Sequence, residues 1–412
     1  MTVQRPTLSA SWSLIAMLSA SALVVGCTAS PGGSPADSIA IAASAGAPQA
    51  SATASPRSTP SPVPPAWIDV DPMSTPRVEF TATRLLDGRV LVAGGFGDGE
   101  AGDVRATAEL FDPATRTWAP TGAMAQARAG QSATLLPDGR VLVAGGVTSP
   151  TEALASVEIY DPATARWSAA GSLLEARGDH SAILLPGGKV LIVCSGTSEQ
   201  PNPTAEIFDP ASGTSTPTGS MLDARFGSST TLLDDGRVLV AGGFTPALKA
   251  LRSAQIYDPK HGLWSAAADM GAVRAAHVAS LLPDGRVLVV GGLSGGFDGN
   301  PQILASAEIY DPVTDSWAST GAMSDGRFNF PVALLERGGL VAFAGDHIGS
   351  GPLASVERFD PTSGTWSWVE SMPIGRALAR AVVLSTGDVL VVGGEGPGAS
   401  GLASAEIYMP RP

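Results

Sequence analysis

Glu79, Asp179, His180, His277 and Asn329 are the side chains whose types could do chemistry, and they share a place in the chain. Each falls within three residues after an arginine that recurs at 77, 128, 177, 225, 274, 327 and 376. The stretches that follow those arginines differ from copy to copy. They read Val78-Glu79-Phe80, Ala129-Gly130-Gln131, Gly178-Asp179-His180, Phe226-Gly227-Ser228, Ala275-Ala276-His277, Phe328-Asn329-Phe330 and Ala377-Leu378-Ala379. Carboxylates and imidazoles in one depression can move protons as general base and acid. The same groups, edged by amide and phenyl side chains, can also hold a polar ligand without transforming it. The sequence contains no Gly-x-Ser-x-Gly, no phosphate-binding loop and no cluster of metal ligands, so neither an activated serine nor a metal centre is expected.

What must position these residues is a repeat. Leu135-Leu-Pro-Asp-Gly-Arg-Val-Leu-Val-Ala-Gly-Gly146 returns as Leu281-Leu-Pro-Asp-Gly-Arg-Val-Leu-Val-Val-Gly-Gly292. An Ala-Glu-Ile-Tyr-Asp-Pro element follows, seen at Ala307–Pro312 and varied elsewhere, and then a tryptophan. The tryptophan position (67, 118, 167, 215, 264, 317, 366; Ser215 once) precedes the first position of the glycine doublet (94, 145, 194, 242, 291, 344, 393) by 27 residues every time. The acidic position (Glu109, Glu158, Glu206, Gln255, Glu308, Glu357) precedes the tryptophan position by 9 each time. Length varies only between doublet and acidic residue. A frame of constant spacing with one variable loop per copy is the pattern of a stacked repeat.

Each copy reads as β-structure. Arg140-Val-Leu-Val-Ala is apolar on both faces, as in a strand covered on both sides. Asp138-Gly139 is a tight hairpin signal before it, and Ser156–Tyr160 reads as the next strand. Asp161-Pro162 suits the opening of a turn. Trp167 begins a fourth strand, expected to pack against the following copy. Gly-Gly, then Tyr or Phe, then Trp, at a period near 50, resembles the kelch repeat over residues 67–409. The resemblance implies an all-β, seven-bladed β-propeller, four strands to a blade. The last copy ends after Glu406-Ile-Tyr408 without a tryptophan, whereas the first opens with Trp67. Trp67–Asp71 is therefore expected to supply the missing outer strand of the last blade and close the ring, which removes free sheet edges.

Seven arginines match six glutamates and one glutamine, so they read as scaffold pairs rather than as a ring of ligand-gripping cations. In the kelch family the variable stretch starts the innermost strand, near the channel mouth. That makes Glu79, Asp179, His180, His277 and Asn329 the candidate ligand-binding residues. The loops after the doublets are a second candidate surface. The first of them holds Asp98, Glu100 and Asp103, which lack the full spacing of a calcium loop and read as solvated acidity. Some kelch propellers are copper–radical oxidases resembling galactose oxidase, which need a tyrosine cross-linked to a cysteine, a second tyrosine and two histidines. Here all four tyrosines (160, 257, 310, 408) sit at the repeated third-strand position, and Cys194 stands in a doublet slot. That ligand set is not expected, and no cofactor is.

Composition bounds the rest. Gly (49) and Pro (33) make about 20% of 412 residues and charged residues only 15%, a turn-rich, helix-poor balance. A net charge of −13 excludes a partner held by its phosphates, so no nucleic acid is expected. Two cysteines exclude a disulfide scaffold. Residues 14–25 are apolar or small and too few to span a bilayer as an ordinary helix. They lead into Leu23-Val24-Val25-Gly26-Cys27, which resembles the lipobox of bacterial lipoproteins and implies acylation of the Cys27 thiol. Residues 1–27 read as a lipoprotein signal peptide and residues 28–66, rich in Ser, Pro and Ala, as a disordered tether. Residues 67–412 are the propeller. The expected protein is a monomer, extracytoplasmic and lipid-anchored to the cell membrane. It binds a protein, peptide or glycan without catalysis; a sugar epimerase or mutarotase working at the channel mouth is the alternative. Replacing Cys27 by Ser is expected to move the protein from the membrane fraction to the soluble one on fractionation; retention in membranes would contradict the lipid anchor.

Overall fold

The computed structural model describes residues 66–97, 103–149, 151–194, 202–295, 301–336, 338–398 and 400–410. Cys27, the proposed signal peptide and nearly all of the tether lie outside the described residues, as do Asp98 and Glu100. Seven four-stranded antiparallel sheets follow one another along the chain. Blade 1 runs from Thr81–Arg84 at the axis through Val90–Ala93 and Ala108–Asp112 to Thr117–Thr121 at the rim. The second strands are buried at every position, as in Val141–Ala144 and Val238–Ala241, because a blade is covered on both faces. The outer strands alternate exposed and half-buried residues.

The ring closes as the sequence predicts. The strand Ala66–Asp69 pairs antiparallel with Ala405–Met409, setting Trp67 opposite Tyr408 and Ile68 opposite Ile407. The blade 7 sheet thus contains both ends of the propeller, and Trp67 also lies edge-on to Phe343 of blade 6 at 6.0 Å between centroids.

There is no single core. Seven apolar clusters each fill one seam between neighbouring blades. The tryptophans pack differently from the sequence expectation: each faces the preceding blade, not the following one. Trp167 of blade 2 joins the seam with blade 1 and donates its indole N–H to the Gly122 carbonyl at 2.7 Å. Trp264 and Trp317 do the same toward Gly219 and Ala268. The strand partner of Trp167, Tyr160, lies against its ring at 5.1 Å between centroids, and both side chains join the seam with blade 1.

The recurring arginines are the buried frame. All seven are within 1% of fully inaccessible. Each Nη1 donates to the carbonyl of the first doublet residue of its own blade, as Arg327 does to Ala344 at 2.8 Å, and to a second carbonyl before the third strand. In five blades, Nη2 reaches the strand-three glutamate at 2.7–3.1 Å; in blade 3, Arg177 uses Nε on Glu206 at 3.0 Å. Five of the six glutamates in turn accept a backbone N–H from the loop before the arginine, as Glu357 does from Ser324 at 2.7 Å. Blade 4 carries Gln255 instead, and the charge moves: Arg225 pairs with Asp223 at 2.5 Å, while Gln255 donates to that aspartate at 3.0 Å. Arginine and glutamate therefore pair within a blade and tie its first loop to its second and third strands.

Arg327 and Glu357 are both 0% exposed. Replacing Arg327 by Met strands a buried carboxylate, and equilibrium denaturation is expected to show a loss of about 3–5 kcal/mol. A loss under about 1 kcal/mol, the range of surface pairs, would contradict the clamp.

Candidate functional site

The variable triplets sit where the chain turns from the arginine into the innermost strand, and they encircle the axis. The middle residue of every triplet has a left-handed backbone: Glu79, Gly130, Asp179, Gly227, Ala276, Asn329 and Leu378 have φ between 50° and 61°. Their backbones are joined to one another across blades. Gly130 N–H donates to Glu79 C=O at 3.0 Å, Asp179 to Gly130 at 2.8 Å, Ala276 to Gly227 at 2.8 Å and Leu378 to Asn329 at 3.0 Å. This collar asks for glycine, since a Cβ at positive φ costs roughly 1–2 kcal/mol. Only two blades supply it. Glu79, Asp179 and Asn329 keep polar side chains on strained backbone, a combination that concentrates at functional sites.

Those three residues share one cavity. They line one chamber of about 90 Å³ on the axis, together with Gln131, His180 and Arg380. Glu79 and Asn329 are each 4% exposed. Gly130 leaves room for its neighbour, because a Cβ there would collide with the Asp179 carboxylate. The Asn329 amide has no hydrogen-bond partner at either Oδ1 or Nδ2, and Gln131 Oε1 has none. Leaving such buried polar atoms unpaired costs about 1–3 kcal/mol each.

Arg380 is the residue that inspection of the triplets misses. It opens the innermost strand of blade 7, where the other blades have Thr81, Ser132, Ser181, Ser229, Val278 and Pro331. A charge one position beyond the triplet was the available signal. Its Nε donates to Phe80 C=O at 2.9 Å, its Nη1 to Ala379 C=O at 3.3 Å, and its guanidinium lies 5.7 Å from the Phe80 ring centre. Burial draws its pKa down, and the charges of Glu79 and Asp179 oppose that.

The histidines do something else. The third triplet residue fills the space over the first doublet residue of the preceding blade. The Phe80, His180, His277 and Phe330 rings lie 2.6–2.8 Å from where a Cβ on Gly393, Gly145, Gly242 and Gly291 would stand, and Gln131 occupies that place over Gly94. Where the doublet residue is larger, the filler is smaller: Cys194 meets Ser228, at 3.3 Å between Sγ and Oγ, and Ala344 shares a seam with Ala379. His180 and His277 are 1% and 0% exposed, and each holds a serine of the preceding blade through Nε2 at 2.8 Å, Ser132 and Ser229 respectively. His277 does not reach the chamber, which draws no residue from blade 5. Burial lowers the His180 pKa to about 3 and His277 well below its ordinary value, helped by the neighbouring Arg177 and Arg274.

The variable loops open on the same face as the chamber. Among the described residues, in six blades the residue after the doublet bridges to the first triplet residue, as Phe96 does to Val78 and Glu395 to Ala377. Two loops add short hairpins, Val147–Ser149 with Glu152–Ala153 and Leu293–Ser294 with Gln302–Ile303. Asp103 is engaged by Arg105 at 2.6 Å. Asp346 and Glu395 stand at this bridging position in adjacent blades. Burial and the Asp346 charge push Glu395 up to about 7.

Kelch motifs match the chain at residues 129–174, 225–271 and 274–324. No curated protein matches it by sequence. Among solved structures, a novel fungal alcohol oxidase with catalytic diversity among the AA5 family, in complex with copper, is similar in fold. The TM-score is 0.67 at 16% identity, over 85% of this chain and 76% of that one. Among the described residues no three His, Cys, Asp or Glu side chains gather as metal ligands. The donors of the copper–radical set are also committed elsewhere. Tyr160, Tyr257 and Tyr310 bond Thr121, Thr218 and Asp315 at 2.6–2.8 Å, Cys194 lies against Met221 and Ser228, and both buried histidines face serines. These residues do not fit a copper site.

A histidine whose folded pKa is depressed stabilises the fold above its unfolded pKa and withdraws that stability as pH falls. The window here runs from about 6.5 down to about 3 for His180. Unfolding free energy is expected to fall across it by up to about 1.4 kcal/mol per pH unit for each histidine. Replacing both by Gln should flatten the profile relative to the native chain; an unchanged slope would mean that they titrate freely.

Proposed function

We propose that this seven-bladed propeller of kelch repeats is a binding module of the cell envelope. In this reading it is anchored by lipid at Cys27, carried on the tether of residues 28–66, and recognises a protein, peptide or glycan at its channel mouth without transforming it. One observation carries the reading: Glu79, Asp179 and Asn329 occupy strained collar positions and converge on one chamber, where the Asn329 amide lacks any partner. The unpaired Asn329 amide costs the fold stability, whereas a ligand would satisfy it. The loops on the same face supply a rim that differs from blade to blade, as a recognition surface requires.

A second reading is favoured by the two carboxylates sharing the chamber: a carbohydrate-active enzyme of epimerase or mutarotase type, with Glu79 and Asp179 as base and acid. The histidines give it no support, being neutral, buried and tied to serines. The fungal oxidase shares the fold and not the donor set, so its activity lends no argument here.

Glycan and peptide arrays probed with the chain, followed by the Glu79→Gln, Asp179→Asn double variant, test the proposal. A ligand held at the mouth is expected to bind the variant at least tenfold more weakly, with the melting temperature kept and the ligand recovered unchanged by NMR. Equal binding would move the site elsewhere. Recovery of an epimer or altered anomer ratio would favour the enzyme.

A further inference from the structure

The unfilled hydrogen bonds of the chamber narrow what can enter it. Asn329, 4% exposed, lines it with neither Oδ1 nor Nδ2 partnered. Gln131, 7% exposed, lines it with Oε1 unpartnered, its Nε2 being spent on the Ala93 carbonyl at 2.8 Å. His180 Nδ1 is unpartnered as well, but it sits against Gly145, 3.3 Å from where a Cβ on that glycine would stand. Asn329 and Gln131 together thus leave open one amide donor group and two amide acceptors. The charged lining residues answer to one another: Glu79 and Asp179 act on Arg380 and oppose the pull of burial on its pKa, and the guanidinium is held by the Phe80 and Ala379 carbonyls. A neutral group can enter without displacing any of these.

The space is small. A cavity of about 150 Å³ takes one benzene ring, so it holds about four heavy atoms here and not a sugar ring, the chamber being about 90 Å³. Asp179 and Arg380 in its lining are half-buried, so solvent reaches it and a longer ligand can place its tip inside. A primary carboxamide is a tip of that size, and its groups match the open set. Its C=O and the N–H beside it close a head-to-tail pair with another amide, the C=O accepting from Asn329 Nδ2 and the N–H donating to Asn329 Oδ1. Its second N–H is left for Gln131 Oε1. A trans secondary amide holds its N–H and C=O on opposite sides and cannot close that pair. A carboxylate brings no donor. We propose that the channel mouth binds a primary carboxamide through Asn329 and Gln131. The side chain of glutamine or asparagine in a peptide and a free alkyl amide present the same chemistry. This inference rests on the channel-mouth reading above and names the group that the mouth takes.

The test is a ligand-observed NMR titration of the full chain at pH 7. The probes are Nα-acetyl-glutamine methylamide, butyramide, N-methylbutyramide, Nα-acetyl-glutamate methylamide and glycerol. Both primary amides are expected to bind at least tenfold more tightly than the other three. Asn329→Ala and Asn329→Asp should each weaken them tenfold or more, since alanine removes both partners and aspartate supplies acceptors alone. Ala276 holds the same collar position in blade 5 at φ 51°, so alanine fits the backbone, and a cooperative melting transition establishes that each variant is folded. Tighter binding of the glutamine compound would identify a peptide source, and tighter binding of butyramide a small-molecule source. Equal binding of the glutamine and glutamate compounds, equal binding of butyramide and its N-methyl derivative, or no primary-amide binding up to about 10 mM would overturn the inference. Glycerol binding more tightly than either amide would overturn it in favour of a sugar hydroxyl. If a compound binds, ignores both Asn329 variants and is lost in the Glu79→Gln, Asp179→Asn variant, the carboxamide inference fails and the channel-mouth reading stands. If bound compounds ignore all three variants, that reading fails as well.

Discussion

A guanidinium buried beside a carboxylate is the constraint on which this propeller depends. Burying either charge alone would be prohibitive, and together they are tolerable only with nearly every donor and acceptor satisfied. The blades approach that condition by the same means: carbonyls and a Ser or Thr hydroxyl surround Nη1 and Nη2, and in five blades backbone N–H groups reach the glutamate, although Nε of five of these arginines and Oε2 of Glu406 are left without a partner. The clamp ties the loop entering the blade to its second and third strands. It thereby sets where the next residues, the triplet, must turn. Blade 4 shows how strict the requirement is, for when glutamine replaces the glutamate an aspartate on the loop takes over the charge.

A second constraint acts between blades. The first doublet residue and the third triplet residue of the next blade share one volume, so Gly is matched by Phe, His or Gln and Cys or Ala by Ser or Ala. With close packing on both sides, neither can change alone without a void or a clash. The outer and inner parts of a blade are therefore spoken for. The middle triplet position differs most from blade to blade: it brings Glu79, Asp179 and Asn329 to the chamber, whereas Ala276 packs into an apolar cluster with Phe226, Phe244 and Phe328. All seven share the left-handed backbone of the collar.

Periodicity made the architecture legible. Constant spacings located the doublets, the glutamates and the closing strand at Trp67, because stacked blades repeat their covalent pattern. The arginine–glutamate match was legible by count, although not its confinement within a blade. Which way the tryptophans lean was not readable, since that depends on the stagger between sheets rather than on any one repeat. At the site, residue type misled in one direction and position in the other. The two histidines carry reactive side chains and serve as packing against glycine doublets. Arg380 lies just past the triplet, where nothing in the repeat marks it as axial until the ring is closed. Asn329 could be named from the sequence, but its unpaired amide is a property of the assembled chamber.

The account's central claim is that polar side chains on the collar are kept for a ligand and not for the fold. Asn329 tests it most directly, as its amide is buried without a partner on backbone at φ 50°. The measurement is the unfolding free energy of the ligand-free Asn329→Gly variant by chemical denaturation. Removing the unsatisfied amide and placing glycine at a left-handed position should raise stability by about 1–3 kcal/mol. A fall in stability would contradict the claim, because it would make the side chain part of what holds the ring together.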